Sequence, residues 1–233
     1  MPLTPETFTT RAARLKADLG DQSRRVQALL EAVFDAAFAG DLPGARRVIA
    51  MDDIIDRVDV ELEKAAVLLL LDATSAGAQL APEQLRLVLT IVKVNNELER
   101  IADAGVAVAE SIPGLIAQGT PLPDTFRVIT NSVVGILRDA STSLERNDPV
   151  LAKIVLASED AVEEFKKAIL RDLTSQVAGR TMTVELAFRL HELTASCEAM
   201  AGHCTNIAEQ ALYLATGKVV RHMAGHWEEV PQA

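Results

Sequence analysis

The sequence predicts an all-α protein made of two tandem, pseudo-symmetric three-helix bundles. Three observations carry that prediction. Hydrophobic residues make up 49% of the chain and aromatics only 3%, a balance suited to helices packed through Leu, Val, Ile and Ala rather than to strands rich in aromatic and β-branched residues. Turn signals divide the 233 residues into long helical stretches. Acidic and apolar residues of the first three stretches then recur in the same order in the last three, as they do when one structural unit is used twice.

The first helix starts at Thr4-Pro5, a cap followed by a first-turn proline, and closes at Gly40-Asp41 after a pattern running through Leu15, Leu29, Leu30, Val33, Phe34 and Phe38. Asp41 and Pro43 open the second, which continues to about Asp72, where small and polar residues around Gly77 interrupt it. Pro82 opens the third, expected to run to Ile112, before Pro113-Gly114. Gly119, Pro121 and Pro123 then read as a linker. The fourth helix is expected over residues 124–146. Asp148-Pro149 caps the fifth, Gly179 ends it, and the sixth runs over residues 181–217. Residues 1–118 and 119–217 are therefore expected to be two repeats, with 218–233 as a tail.

The repeat can be checked by offset. A shift of 107 positions lays Asp41, Ala45, Val48, Asp52 and Asp56 onto Asp148, Ala152, Val155, Glu159 and Glu163. A shift of 99 lays Leu87, Glu99, Ala102, Ala109 and Glu110 onto Leu186, Glu198, Ala201, Ala208 and Glu209. The connection between second and third helices is thus shorter in the second copy.

A formal net charge of −10 makes the average surface repel phosphate backbones and anionic headgroups, so neither nucleic acid nor direct membrane insertion is expected. The N-terminus shows no apolar stretch after its charges, and the longest apolar run, residues 65–71, is far short of the roughly 18 residues of a span. A cytoplasmic protein is expected. Cys197 and Cys204, seven residues apart on one helix, would stand ~10 Å apart along its axis, beyond disulfide reach, and read as reduced core thiols.

Asp52 and Asp56 are four apart on the second helix, and Glu99 and Asp103 four apart on the third, so each pair lies on one helix face. Measured from the hairpin end, Asp52 sits ~30 Å back and Glu99 ~25 Å, roughly level. Spacing leaves two readings. The carboxylates converge between antiparallel helices and hold a hard, oxygen-preferring cation, or they face solvent and pair with neighbours such as Arg57 or Arg100.

These segments also resemble a known family. Val48-Ile-Ala-Met-Asp-Asp-Ile-Ile-Asp-Arg-Val-Asp-Val-Glu-Leu-Glu63 is similar to the first acidic helix of PhoU proteins, and Asn96-Glu-Leu-Glu-Arg-Ile-Ala-Asp103 to their LERIGD stretch, with Glu110 matching the acid that closes it. His203-Cys-Thr-Asn-Ile-Ala-Glu209 resembles HATNIAE, and the stretch from Tyr213 to His222 resembles the family's tail. The resemblance implies two three-helix bundles, and a non-catalytic negative regulator of the phosphate-starvation response. It further implies contacts with the ATPase subunit of the phosphate ABC transporter and a sensor histidine kinase at the inner membrane face, and a homodimer. The family's E(D)xxxD motifs bind metal ions. By position these are Asp52, Asp56, Glu99 and Asp103, for a metal that could be Fe, Zn, Mn or Mg. In the second half they fall on Glu159, Glu163, Glu198 and Gly202, so a second site needs His203 as a substitute ligand. Ala199, Ala104 and Ala107 are further departures.

Two other classes compete. A carboxylate-bridged di-metal bundle wants Glu-x-x-His twice, and no glutamate stands three residues before any histidine here. A plain helical scaffold with solvated acids fits the same amphipathic patterns. No Gly-x-Ser-x-Gly, phosphate-binding loop or His-Glu-x-x-His occurs. His191 and Glu198, seven apart, share a face, although a hydrogen-bonded or exposed histidine would look the same. The tail, with Lys218, Arg221, His222 and His226, reads as a frayed end or as a basic segment for an acidic partner. Leu62, Val67, Leu70 and Leu71 read as bundle core.

Overall fold

In the computed structural model, residues 5–119, 122–223 and 226–230 are described. Six helices follow one another: α1 Pro5–Ala39, α2 Leu42–Ser75, α3 Pro82–Ala117, α4 Thr125–Arg146, α5 Pro149–Ala178 and α6 Val184–Thr216. Thr4 and Pro121, expected to cap α1 and to mark the linker, lie outside the described residues. Among those described, no helix is long and apolar enough to cross a membrane.

Local chemistry sets most boundaries. Gly40 closes α1 in the left-handed region at φ 64°. Asn147, 107 positions on, closes α4 in the same way at φ 50°, glycine and asparagine being the residues that tolerate that conformation. The Asp148 carboxylate accepts from the backbone N–H groups of Val150 and Leu151 at the start of α5, and Thr183 Oγ1 accepts from Leu186 N–H at the start of α6. One expected boundary is corrected. α3 does not stop at Ile112 but passes through Pro113 to Ala117. A proline loses one backbone bond, yet Ile112 and Leu115 on either side are buried, and that packing carries the helix through.

α1, α2 and α3 pack on one another, as do α4, α5 and α6, and the two sets join through α3 against α6 and α1 against α4. The α3–α6 seam is antiparallel: Gln84 and Leu87 lie by Leu214, Glu97 bonds His203 at mid-length, and Leu115 and Ile116 lie by Leu186 and Leu190. Buried positions repeat at the sequence offsets. Val48, Ile55 and Leu62 correspond to buried Val155, Val162 and Ile169, and Ile91, Val94, Leu98 and Ile101 to buried Leu190, Leu193, Cys197 and Met200. The shift of 107 also takes buried Val26, Leu30 and Val33 of α1 to buried Val133, Leu137 and Ala140 of α4. At Gly105 a Cβ would stand 2.5 Å from Leu29 Cδ2, so glycine permits the close crossing of α3 on α1.

Two other expectations change. The tail is not wholly frayed: β1 Val219–Met223 pairs antiparallel with β2 His226–Val230, consistent with the β-formers Val219, Val220, Trp227 and Val230. Arg221 of this hairpin pairs with the buried carboxylate of Glu209 on α6. The side chains of His222 and His226 lie outside the described set. On α2, Leu62 is buried, but Val67 and Leu71 are both 56% exposed. They lie on the side of α2 turned away from its two packing partners, while Leu69 and Ala66 face the core.

Candidate functional site

Helix periodicity returns positions 4, 7 and 11 residues further along to within about 40° of the starting direction. Asp52, Asp56, Asp59 and Glu63 therefore form one acidic stripe along α2. On the neighbouring turns of α3 stand Glu99 and Asp103, and Asn95 Nδ2 donates to Asp59 Oδ1 at 2.6 Å and to the Asp59 carbonyl at 3.0 Å, which registers α2 against α3.

The electrostatics of this stripe are repulsive. Burial first, then the charges of Asp56, Asp103 and Asp53, push the Asp52 carboxyl up from 3.8 to about 6. Burial likewise raises Glu99, helped by Asp103, Asp59 and Asp56 and by a hydrogen bond with Asp103. Asp59 is raised by burial and by Glu63 and Asp56, against the bond from Asn95. Asp52 Oδ1 is buried without a hydrogen-bond partner. Among the described residues no ion pair reaches Asp52, Asp56, Glu99 or Asp103.

This donor set, all oxygen, mutually repelling and holding an orphaned buried acceptor, suits a hard cation. With the side chains in their present positions, no three His, Cys, Asp or Glu residues among those described converge closely enough to hold an ion. Asp59 and Glu63 are additions that the tertiary structure makes to the sequence-derived set. The signal that finds them is the 7- and 11-residue spacing from Asp52, which continues the same helix face.

The second half is arranged differently. Glu198 is bridged by Lys166 Nζ at 2.6 Å, and Glu163 by Lys167 Nζ at 2.9 Å. Glu159 lies in the open groove of about 930 Å³ between the halves, which Asp59, Glu63, Lys93, Glu97 and Arg221 also line. His203 does not join Glu198. Five residues apart on one helix, the two point about 140° away from each other, and His203 Nδ1 instead lies 2.7 Å from Glu97 Oε2 on α3. Asn206 Nδ2 donates to the same oxygen at 3.0 Å. Burial alone would raise Glu97, but these bonds, with the charges of His203 and Arg100, carry it below its ordinary value. His191 packs edge-on against Phe188, while Glu198 is taken up by Lys166.

Cys197 and Cys204 are both buried and unbonded. Burial pushes the Cys197 thiol up to about 12 and raises Cys204 as well, with Glu97 adding to the latter. Both remain core thiols rather than nucleophiles.

Comparison with known proteins covers most of the chain. The PhoU domain model matches twice, over residues 19–112 and 127–211. The PhoU homolog 1 of Thermotoga maritima, called a phosphate-specific transport system accessory protein, is 29% identical over 182 residues, covering 75% of this chain and 74% of the relative. The homolog of Aquifex aeolicus is 28% identical over 203 residues, covering 86% and 89%. The crystal structure of PhoU from Pseudomonas aeruginosa superposes with a TM-score of 0.83 at 25% identity, covering 90% of this chain and 99% of that one. That of the PhoU regulatory protein from Streptococcus pneumoniae gives the same score at 17% identity, which speaks to the fold alone. With both halves matched by the same domain, this chain belongs to the PhoU family.

Proposed function

We propose that this chain is an accessory regulator of phosphate transport that works by binding rather than by catalysis. It would restrain the phosphate-starvation response from the cytoplasmic face of the membrane. Its partners would be the ATPase subunit of a phosphate ABC transporter and a sensor histidine kinase, and its working form a homodimer. The observation that carries this reading is the double PhoU-domain match over residues 19–112 and 127–211, supported by relatives named as accessory to phosphate-specific transport.

The test is a deletion strain grown in high phosphate. Alkaline phosphatase is expected to become constitutive, and the intact gene to restore repression. Repression that persists without the protein overturns the reading.

The same reading gives the α2–α3 face a divalent cation, with Asp52, Asp56, Glu99 and Asp103 as ligands and Asp59 beside them. It is supported by the buried, unpartnered oxygen of Asp52 and by the elevation of Asp52 and Glu99, both of which a cation would relieve. A bound ion would supply positive charge at this seam, and the chain's own acids would orient it. Elemental analysis of protein purified without chelator is expected to find metal, and Asp52→Ala combined with Glu99→Ala to lose it. A metal-free wild type, or a double variant of unchanged affinity, removes the cation from this seam.

A further inference from the structure

The two sequence offsets map the acidic face of the first half onto the second one side chain at a time. Asp52 becomes Glu159, Asp56 becomes Glu163, Glu99 becomes Glu198 and Asp103 becomes Gly202. Asp59, by the same shift of 107, becomes Lys166. The corresponding pairs also interact electrostatically across their seams. Asp59 is among the charges that press on Glu99, and Lys166 Nζ lies 2.6 Å from Glu198 Oε2. The framework under them is the same: Ile55 and Leu62, which flank Asp59 on the buried side of α2, correspond to buried Val162 and Ile169 around Lys166. Like charge in one half is therefore replaced by opposite charge in the other, at one structural position.

We propose that Lys166 is the resident cation of the second half, its ammonium neutralising Glu198 at the position where the first half presents Asp59. An ammonium on a four-carbon stem is a compact point charge, and at 2.6 Å from Glu198 Oε2 it supplies that carboxylate with positive charge. Lys167 adds to it from the flank by bridging Glu163 and Glu164. Ion-dependent behaviour is then confined to α2–α3, and α5–α6 keeps its geometry whatever the supply of divalent metal. The inference rests on the proposed cation of the first half for its contrast, but the role of Lys166 is testable apart from it.

The structure also leaves room for the carboxylate missing from the second half. A Cβ at Gly202 would meet nothing within 4 Å, so a carboxylate fits where Asp103 has its counterpart. The experiment compares full-length wild type, Lys166→Asp/Gly202→Asp, Lys166→Gln and Lys166→Arg, each stripped with chelator and titrated with Mn²⁺ by calorimetry, with thermal midpoints recorded alongside. The double variant is expected to bind at least one Mn²⁺ more than wild type, and Mn²⁺ to raise its midpoint by more than it raises that of wild type. Lys166→Gln is expected to lower the metal-free midpoint at pH 7, and Lys166→Arg to restore it.

A folded double variant with wild-type stoichiometry overturns the proposal. So does a Lys166→Gln protein whose midpoint at pH 7 equals that of wild type, a result that decides the matter even if the double variant does not fold. A wild type that binds no Mn²⁺ sinks the first-half cation alone, since added binding by the double variant is read against that baseline.

Discussion

The α2–α3 and α5–α6 seams share a backbone plan and differ in charge. In the first, Asp52, Asp56, Asp59, Glu99 and Asp103 face one another without an ion pair at Asp52, Asp56, Glu99 or Asp103 among the described residues. In the second, lysines bridge Glu198 and Glu163. Much of the buried face, by contrast, keeps step, as at Val48, Ile55 and Leu62 against Val155, Val162 and Ile169. A duplicated bundle can thus hold its core nearly fixed while its polar seams diverge, because core positions are coupled through close packing and seam positions through charges that one substitution can reverse.

That comparison can be broken at the core first, where the effects are largest. Ile101→Ala and the equivalent Met200→Ala remove fully buried side chains, and each is expected to cost about 2–5 kcal/mol in denaturant unfolding. If one costs several times the other, the halves do not share the load as their matched burial implies.

Glu97→Gln comes next. It weakens the junction with His203 and Asn206 and is expected to cost about 1 kcal/mol at pH 7. Because the folded Glu97 lies below its ordinary 4.5, its contribution is present above that value and is lost as pH falls through the lower folded one. The stability gap between wild type and variant should therefore close in acid.

Asp52→Asn should run the opposite way. A carboxyl raised from 3.8 to about 6 favours folding most below pH 4, and that contribution is lost as pH rises through 6. Metal-free wild type is expected to lose stability relative to Asp52→Asn across pH 4–6, with a gain for the variant at pH 7 that solvent screening keeps below about 1 kcal/mol. Chelator-stripped thermal melts at stepped pH would show it, and equal slopes would mean that the first-half acids do not repel as described.

Smallest is Arg24→Ala, which removes an exposed bridge to Glu145 across the α1–α4 contact. It is expected to change stability by no more than about 0.5 kcal/mol. A larger loss would mean that this contact, rather than the α3–α6 seam, carries the junction.

Periodicity and punctuation make the six helices legible. Asp148-Pro149 and Gly40 act where their chemistry predicts, and Pro113 fails to end α3 because burial of Ile112 and Leu115 outweighs one lost backbone bond. Hydrophobicity assigns Val67 and Leu71 to the core, but they are exposed, because hydrophobicity alone does not say which side of a helix its neighbours cover. Around the candidate site, spacing pairs Asp52 with Asp56 and Glu99 with Asp103. Its position next to Gly202 suggests His203 as a partner for Glu198, although one further residue turns a helix by about 100° and sends that ring to Glu97 instead.

By itself, then, the sequence determined the features that short-range geometry dictates: helix number, most helix boundaries, the two offsets and the acidic faces. Tertiary structure decided which faces meet. Only the antiparallel docking of α3 on α6 brings Glu97 to His203, and only the packing of α5 on α6 sets Lys166 against Glu198. The physical reason is that a helix fixes the direction of each side chain, while the charge or contact each one meets depends on which helix is packed opposite.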